Sequence, residues 1–212
     1  MTPQNPWLAI PLADYESHMA LPEIGQAQLL REQLLAAAQG GCARSVAIAG
    51  CAGGNGLAEL GRLVPRIVAV DLNPHYIEAV RRRFAGRITG LETYVTDLEQ
   101  GAPACAPVDL VYAGLLFEYV NVCRAMASLR QLCRDGGELV AVIQLAAGTP
   151  GFVSPSPYGS LRPLEAFARL HSSSALDEHA SRAGFSTARW RSIRSAGGKG
   201  FEVGTFKARC GP

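Results

Sequence analysis

Five short apolar runs, separated by segments of helical periodicity, constrain the fold of this chain more than any other feature. They are SVAIAG (45–50), RIVAVD (66–71), LETYVTD (91–97), VDLVYAG (108–114) and GELVAVIQL (137–145). Most lack the strict apolar–polar alternation of a strand with one wet face, as strands covered on both faces of a parallel sheet do. Between them lie GLAELGRLV, NPHYIEAVRRRFAG and NVCRAMASLRQLCRDGG. In the second, Ile77, Val80 and Phe84 recur at helical spacing, with Asn73 as N-cap and Pro74 at the first helical position. In the third, Met126, Leu129 and Cys133 mark the buried stripe, and Gly136-Gly137 is read as the helix end. Strand–helix alternation of this kind predicts an α/β, Rossmann-like, doubly wound sheet, mostly parallel, with helices on both faces.

The flanks read differently. Residues 1–40 open with prolines and continue into IGQAQLLREQLLAAAQGG, a helix ending at glycines. Residues 146–172, beginning AAGTPGFVSPSPYGS, are crowded with Pro, Gly and Ser, the composition of a functional lid or insertion. Residues 173–183 read as a helix closed by Gly184. FSTARWRSIRS and KGFEVGTFKAR follow as two strands about a Gly-Gly-Lys turn, predicting a closing antiparallel hairpin. The expected organisation is one domain over 1–212: an N-terminal cap segment and helix (1–40), a core (41–145), the insertion (146–172) and the C-terminal helix and hairpin (173–212).

Length and composition fit that scheme. A chain of 212 residues, 48% hydrophobic, can bury one sizeable core. Its net charge of +2, from 20 basic and 18 acidic residues, gives no electrostatic reason to expect nucleic acid or an anionic membrane as partner. No apolar stretch approaches a membrane span, and the N-terminus lacks the pattern of a secretion signal. The six cysteines never form a C-x-x-C pair, and several sit in apolar runs as small hydrophobes. The expectation is a reduced, cytoplasmic protein without a disulfide framework. Acids and histidines do not cluster at ligand spacings, so no metal is expected.

The stretch VAIAGCAGGNG (46–56) holds the functional question. In a doubly wound sheet, ligands bind outside the carboxyl ends of the strands, at the first strand-to-helix turn, and glycines there let backbone approach a ligand closely. The dinucleotide pattern G-x-G-x-x-G fails, because counting from Gly50 its second glycine falls on Ala52 and its third on Asn55. No G-K-[ST] phosphate loop is present. Asp71 closes the second run, about twenty residues on, where a carboxylate accepts hydrogen bonds from ribose hydroxyls. Asp97 closes the third run, where an acid can accept from an adenine amino group. A lone strand-end aspartate is more often a helix N-cap; glycine turn and two acids on successive strands together favour a nucleoside.

With AGCAGGNG, VAVDLNP, TDLE, VDLVYAGLLFEYV and LRQLCRDGGELV in this order, the sequence resembles the class I S-adenosylmethionine-dependent methyltransferases, from about residue 25 to the end. The resemblance implies a seven-stranded sheet with a reversed last strand, and S-adenosyl-L-methionine as cofactor. It implies that Gly50, Cys51, Ala52 and Gly54 line the methionine end, with Gly53 and Asn55 also among the cofactor-binding residues. Asp71 would hold the ribose, Asp97 and Leu98 the adenine, and Gly114 and Leu115 the sulfonium side, with Leu72 also among the cofactor-binding residues. The chain departs from the family at Ile48, where an acid is usual two residues before the first glycine, and at Ala52, where the middle glycine is usual. Asn55 is a candidate for supplying part of that polarity.

Four residues are candidates for catalysis: Tyr15 and His18, at i, i+3 on one short helical face, and Glu118 and Tyr119 after the fourth strand. Each has a plain structural alternative, as a packing residue, a hydrogen-bonded histidine or a solvated helix start. His75 stands where it could approach the adenosine, while His171 and His179 read as a connection and a solvated helix. The insertion offers Phe152, Tyr158, Leu161 and Phe167, which favour a small-molecule acceptor over a phosphate-rich polymer. Two functions compete: a methyltransferase acting on a small molecule, and a non-catalytic module that binds the cofactor or a protein partner. A homodimer stays open.

Overall fold

The computed structural model describes residues 5–145, 156–186 and 189–210. Two helices, α1 (Leu12–Ala20) and α2 (Gln26–Gly40), precede the sheet. Strands and helices then alternate: β1 (Ser45–Ala49), α3 (Leu57–Leu60), β2 (Arg66–Asp71), α4 (Pro74–Phe84), β3 (Leu91–Val95), β4 (Val108–Gly114), α5 (Val122–Leu132) and β5 (Cys133–Gln144). The chain closes with α6 (Arg162–Phe167), α7 (Ser173–Ala183), β6 (Arg189–Arg194) and β7 (Gly200–Lys207). Seven strands form one sheet in the order β3-β2-β1-β4-β5-β7-β6. The first five are parallel, and β7 runs antiparallel between β5 and β6. The reversed last strand expected from the resemblance is in place.

The continuous apolar runs have a direct cause. Successive side chains on an inner strand point to opposite faces, and both faces here are covered. On β1, Val46 and Ile48 enter one core while Ala47 and Ala49 enter the other. On β4, Leu110 and Tyr112 divide from Val111 and Ala113 in the same way. Leu34 of α2, Leu57 of α3 and Ile77 and Val80 of α4 cover the first face, and Met126 and Leu129 of α5 with Leu176 of α7 cover the second. The strand order reverses at β1, which has β2 on one side and β4 on the other, so a crevice opens beyond the carboxyl ends of these strands.

Local signals hold at several ends. The Asn73 side chain accepts from the His75 amide and caps α4, and Gly184, at φ +97°, ends α7. Three expectations need correction. Helix α5 stops at Leu132, not at the glycine pair, because Cys133 already pairs with Val108 in the sheet. Gly136 and Gly137 lie inside β5, where a Cβ on Gly137 would stand 2.8 Å from the Asp109 carbonyl oxygen. The third strand ends at Val95, leaving Asp97 in the turn beyond it. Finally, α3 is only one turn, with its cap Gly56 at φ +85°. Residues 146–155 of the insertion, Phe152 among them, lie outside the described residues. Among the described residues, no helix is long and apolar enough to cross a membrane.

The hairpin has its own close approach. A Cβ at Gly204 would meet the Trp190 ring at 2.7 Å, and that ring packs edge-on against Phe206 at 5.6 Å. Gly204→Val should therefore push the indole off its seat and cost about 1–3 kcal/mol of stability, the range for overpacking. An unchanged urea midpoint for this variant would show that the contact is slack.

Candidate active site

The turn after β1 is built around Asp71. The Gly50 and Cys51 amides both donate to the Val70 carbonyl, at 2.9 and 3.0 Å. The Ala52 amide donates to Asp71 Oδ2 at 2.8 Å, and the Asn73 amide to Asp71 Oδ1 at 2.9 Å. Gly50 sits at φ +74° and Gly54 at φ +88°, in the left-handed region. Ala52 also adopts it, at φ +45°, so the turn keeps a glycine-like conformation where the side chain is a methyl group.

Three cavities share walls at the carboxyl ends of the strands. The first is lined by Gly50, Ala52, Asp71, Leu72, Tyr76, Asp97, Leu98, Gly114 and Leu115, with Trp7, Tyr119 and Thr96. The second lies over the glycine turn, between Cys51, Ala52, Gly53, Gly54 and Asn55 below and Glu16, Met19 and Arg83 around it. The third lies beneath the N-terminal segment, walled by Trp7, Tyr15, His18, Met19, Gln26, Leu115, Tyr119, Gln144, Leu161, Leu164 and Lys199. Tyr15 lines all three. Trp7, Leu115 and Tyr119 border both the first and the third.

All twelve residues that the resemblance assigns to the cofactor line the first or second cavity. Besides Asp71, two of their side chains are partly committed within the protein. Asp97 Oδ1 accepts from the Glu99 amide at 2.9 Å, and the Asn55 amide nitrogen donates to the Ala27 carbonyl at 2.7 Å. Of the catalytic candidates, Tyr15, His18 and Tyr119 line the third cavity and Glu118 lines none of the three. Glu118 is buried, with Oε1 accepting from the Gln144 amide at 2.7 Å, so it is not the solvated start of a helix. His75 is exposed and away from these walls. His171 and His179 are half-buried, and the charge of His179, after burial, lowers the pKa of His171, in place of the solvated helix read from the sequence.

Burial sets the electrostatics. It pushes the Asp71 carboxyl up to about 6, against the Asn73, Ala52 and Leu72 backbone groups that hold it down. Burial, and then the Lys199 charge, lower the pKa of His18, whose Nδ1 is buried without a hydrogen-bond partner. Lys199 is itself lowered by burial, with Glu118 acting the other way, and Glu118 is raised to about 7. Burial raises the hydroxyls of Tyr15 and Tyr119 above the ordinary tyrosine range. Trp7, Glu16, Gln26, Arg83, Gln144 and Lys199 escaped the sequence reading. They come from elements far apart in the chain, and no local spacing marks them.

A family model described as "Methyltransferase domain" matches residues 48–141, which run from within β1 into β5. That match, over just under half of the chain, agrees with the resemblance to the class I S-adenosylmethionine-dependent methyltransferases. The solved structure of the N-methyltransferase NodS from Bradyrhizobium japonicum WM9 with S-adenosyl-L-homocysteine superposes on this chain at a TM-score of 0.71, with 17% identity over 97% of this chain and 99% of that one. Magnesium protoporphyrin IX methyltransferase from Synechocystis PCC 6803 with bound S-adenosylmethionine gives 0.64, at 13% identity over 87% and 80%. The [4+2]-cyclase SpnF gives 0.65, at 12% identity over 94% and 96%. At these identities the likeness is one of fold. No curated protein matches by sequence.

The site has the means to hold S-adenosylmethionine, the cofactor that the family match and the ligand-bound neighbours support. Left-handed Gly50 leaves the first cavity bare, with only Leu116 Cδ1, at 3.4 Å, near where a Cβ would stand. Asp71 lines the same cavity, with the Ala52 amide on one carboxylate oxygen and the Asn73 amide on the other, and a carboxylate oxygen can accept more than one bond.

Proposed function

We propose that this protein transfers the cofactor's methyl group to a nucleophilic atom of a small organic acceptor in the third cavity. The observation that carries this reading is the shared wall. Tyr15, Trp7, Leu115 and Tyr119 border both that cavity and the one containing Asp71, so an acceptor there lies next to the cofactor. Gly50 to Asn55 would take the methionine end, Asp71 and Leu72 the ribose, Asp97 and Leu98 the adenine, and Gly114 and Leu115 the sulfonium side. When bound, S-adenosylmethionine supplies a sulfonium methyl group open to in-line attack.

The protein's part is to position, to exclude water and to hold a proton. Ile10, Leu161 and Leu164 form a small apolar cluster with Trp7, Tyr15, Tyr119 and Tyr158 packed against it. This cap is tied down: the Asn73 amide nitrogen donates to the Trp7 carbonyl at 2.8 Å, Tyr76 Oη to the Ile10 carbonyl at 3.0 Å, and Ser160 Oγ to Asp14 Oδ2 at 2.6 Å. Residues 7–21 and 156–164 thus serve as the lid that orients the acceptor. His18, held neutral near pH 7 with Nδ1 unpartnered, is the base that takes the acceptor's proton. The cavity's aromatic and aliphatic walls suit a small organic body, and His18, Gln26, Gln144 and Lys199 its polar end.

The fold alone does not decide the chemistry, since SpnF carries it as a [4+2]-cyclase. Label transfer does. With S-adenosylmethionine labelled at the methyl group and a small-molecule metabolite extract, label should enter a low-mass product. His18→Asn should slow transfer by about 10²–10⁴-fold while retaining S-adenosylhomocysteine binding. Tight binding without transfer to any extract would favour the non-catalytic module.

A further inference from the structure

The second cavity lacks the acid that the family usually places on β1, because that position is Ile48, buried in the core. An amino-acid moiety carries an ammonium and a carboxylate, and neither can be left against an apolar wall without loss of affinity. Among the described residues that line this cavity, Glu16 and Arg83 are the charged ones. They arrive from different helices. Glu16 projects from α1, Arg83 from the last turn of α4, and the two form a two-point ion pair, with Arg83 Nη2 to Glu16 Oε2 at 2.8 Å. Arg83 Nη1 also donates to the Gly53 carbonyl at 2.9 Å, which fixes the guanidinium on the glycine turn. A Cβ at Gly53 would collide with both the Glu16 carboxylate and the Arg83 guanidinium, so the bare backbone there makes room for this pair.

We infer that Glu16 and Arg83 are the recognition pair for the methionyl zwitterion, replacing the missing strand acid from outside the sheet. The ligand's ammonium takes the Glu16 carboxylate, and its carboxylate takes the Arg83 guanidinium, so each charge exchanges one ionic partner for another and none is stranded. Asn55 is less able to do this, since its amide nitrogen is engaged by the Ala27 carbonyl. The inference rests on the cofactor reading above and names which residues of this chain read one end of it.

The discriminating experiment compares two ligands by calorimetry. S-adenosylhomocysteine carries the amino acid; 5′-methylthioadenosine keeps the adenosyl and thioether groups and lacks it. Glu16→Gln should weaken S-adenosylhomocysteine by about 10- to 100-fold, the equivalent of losing one charge-assisted bond, and leave methylthioadenosine within about twofold. Arg83→Gln should behave alike, and Arg83→Lys should recover part of the loss. An equal fall for both ligands would reduce the pair to a strut between α1 and α4 and overturn the inference, as would no change for either. Wild-type protein that binds neither ligand would overturn the cofactor reading and this inference together, an outcome distinct from the other two.

Discussion

Gly50→Val should abolish S-adenosylhomocysteine binding, by at least about 100-fold, in a protein that stays folded. At φ +74° the position lies where a β-branched residue is a genuine outlier, with a cost of roughly 1–2 kcal/mol or more for an L side chain. The valine methyl groups add to that. An ideal Cβ already stands 3.4 Å from Leu116 Cδ1, and the remaining open direction is the cavity that Asp71 and Asp97 also line. Relief by rotating the backbone would break the Gly50 and Cys51 bonds to Val70 and carry Ala52 away from Asp71. Calorimetry together with far-UV circular dichroism separates loss of the site from loss of the fold. Normal affinity in a folded variant would reduce the glycine turn to a turn.

Much of this site could be read from the sequence because its parts stand at strand ends, where position along the chain becomes position in space. Asp71 ends β2, Gly114 ends β4 and the glycine turn follows β1, so their order in the sequence already places them along one crevice. The same logic failed at Gly136-Gly137. A glycine pair after a helical stripe looks like a C-cap, and only the pairing of Cys133 with Val108 shows that the sheet has already begun. It also failed for Glu118, which is buried and accepts from a backbone amide 26 residues away, at Gln144. Glu16 and Arg83 lie 67 residues apart and carry no spacing that marks them as partners. Contacts of that kind are set by helix packing. The surviving signal was indirect: an apolar Ile48 where polarity was needed.

Asp71 joins the two halves of the site, and its titration should be visible in binding. Its carboxylate braces Ala52 in a left-handed conformation and Asn73 at the cap of α4, while facing the first cavity. Asp71→Ala should therefore lose more than the ribose contact. Each charge-assisted bond removed costs about 1.5–3 kcal/mol, and the turn loses the group that holds Ala52. The pH dependence has two signs. Hydroxyl donors of a bound ribose favour the ionised carboxylate, so affinity should be full above about pH 7 and fall as pH drops through about 6, by roughly tenfold at pH 5. Without ligand the trend reverses. A folded-state pKa raised above the unfolded value of about 3.9 gives stability that is present below that value and lost as pH rises through about 6. Asp71→Asn should flatten both trends, since the amide does not titrate. Calorimetric titrations and melting curves of the wild type and Asp71→Asn between pH 5 and 8 make the comparison. Parallel pH profiles in the two proteins would mean that Asp71 neither titrates in this range nor faces the ribose, and the shared centre of the site would have to be sought elsewhere.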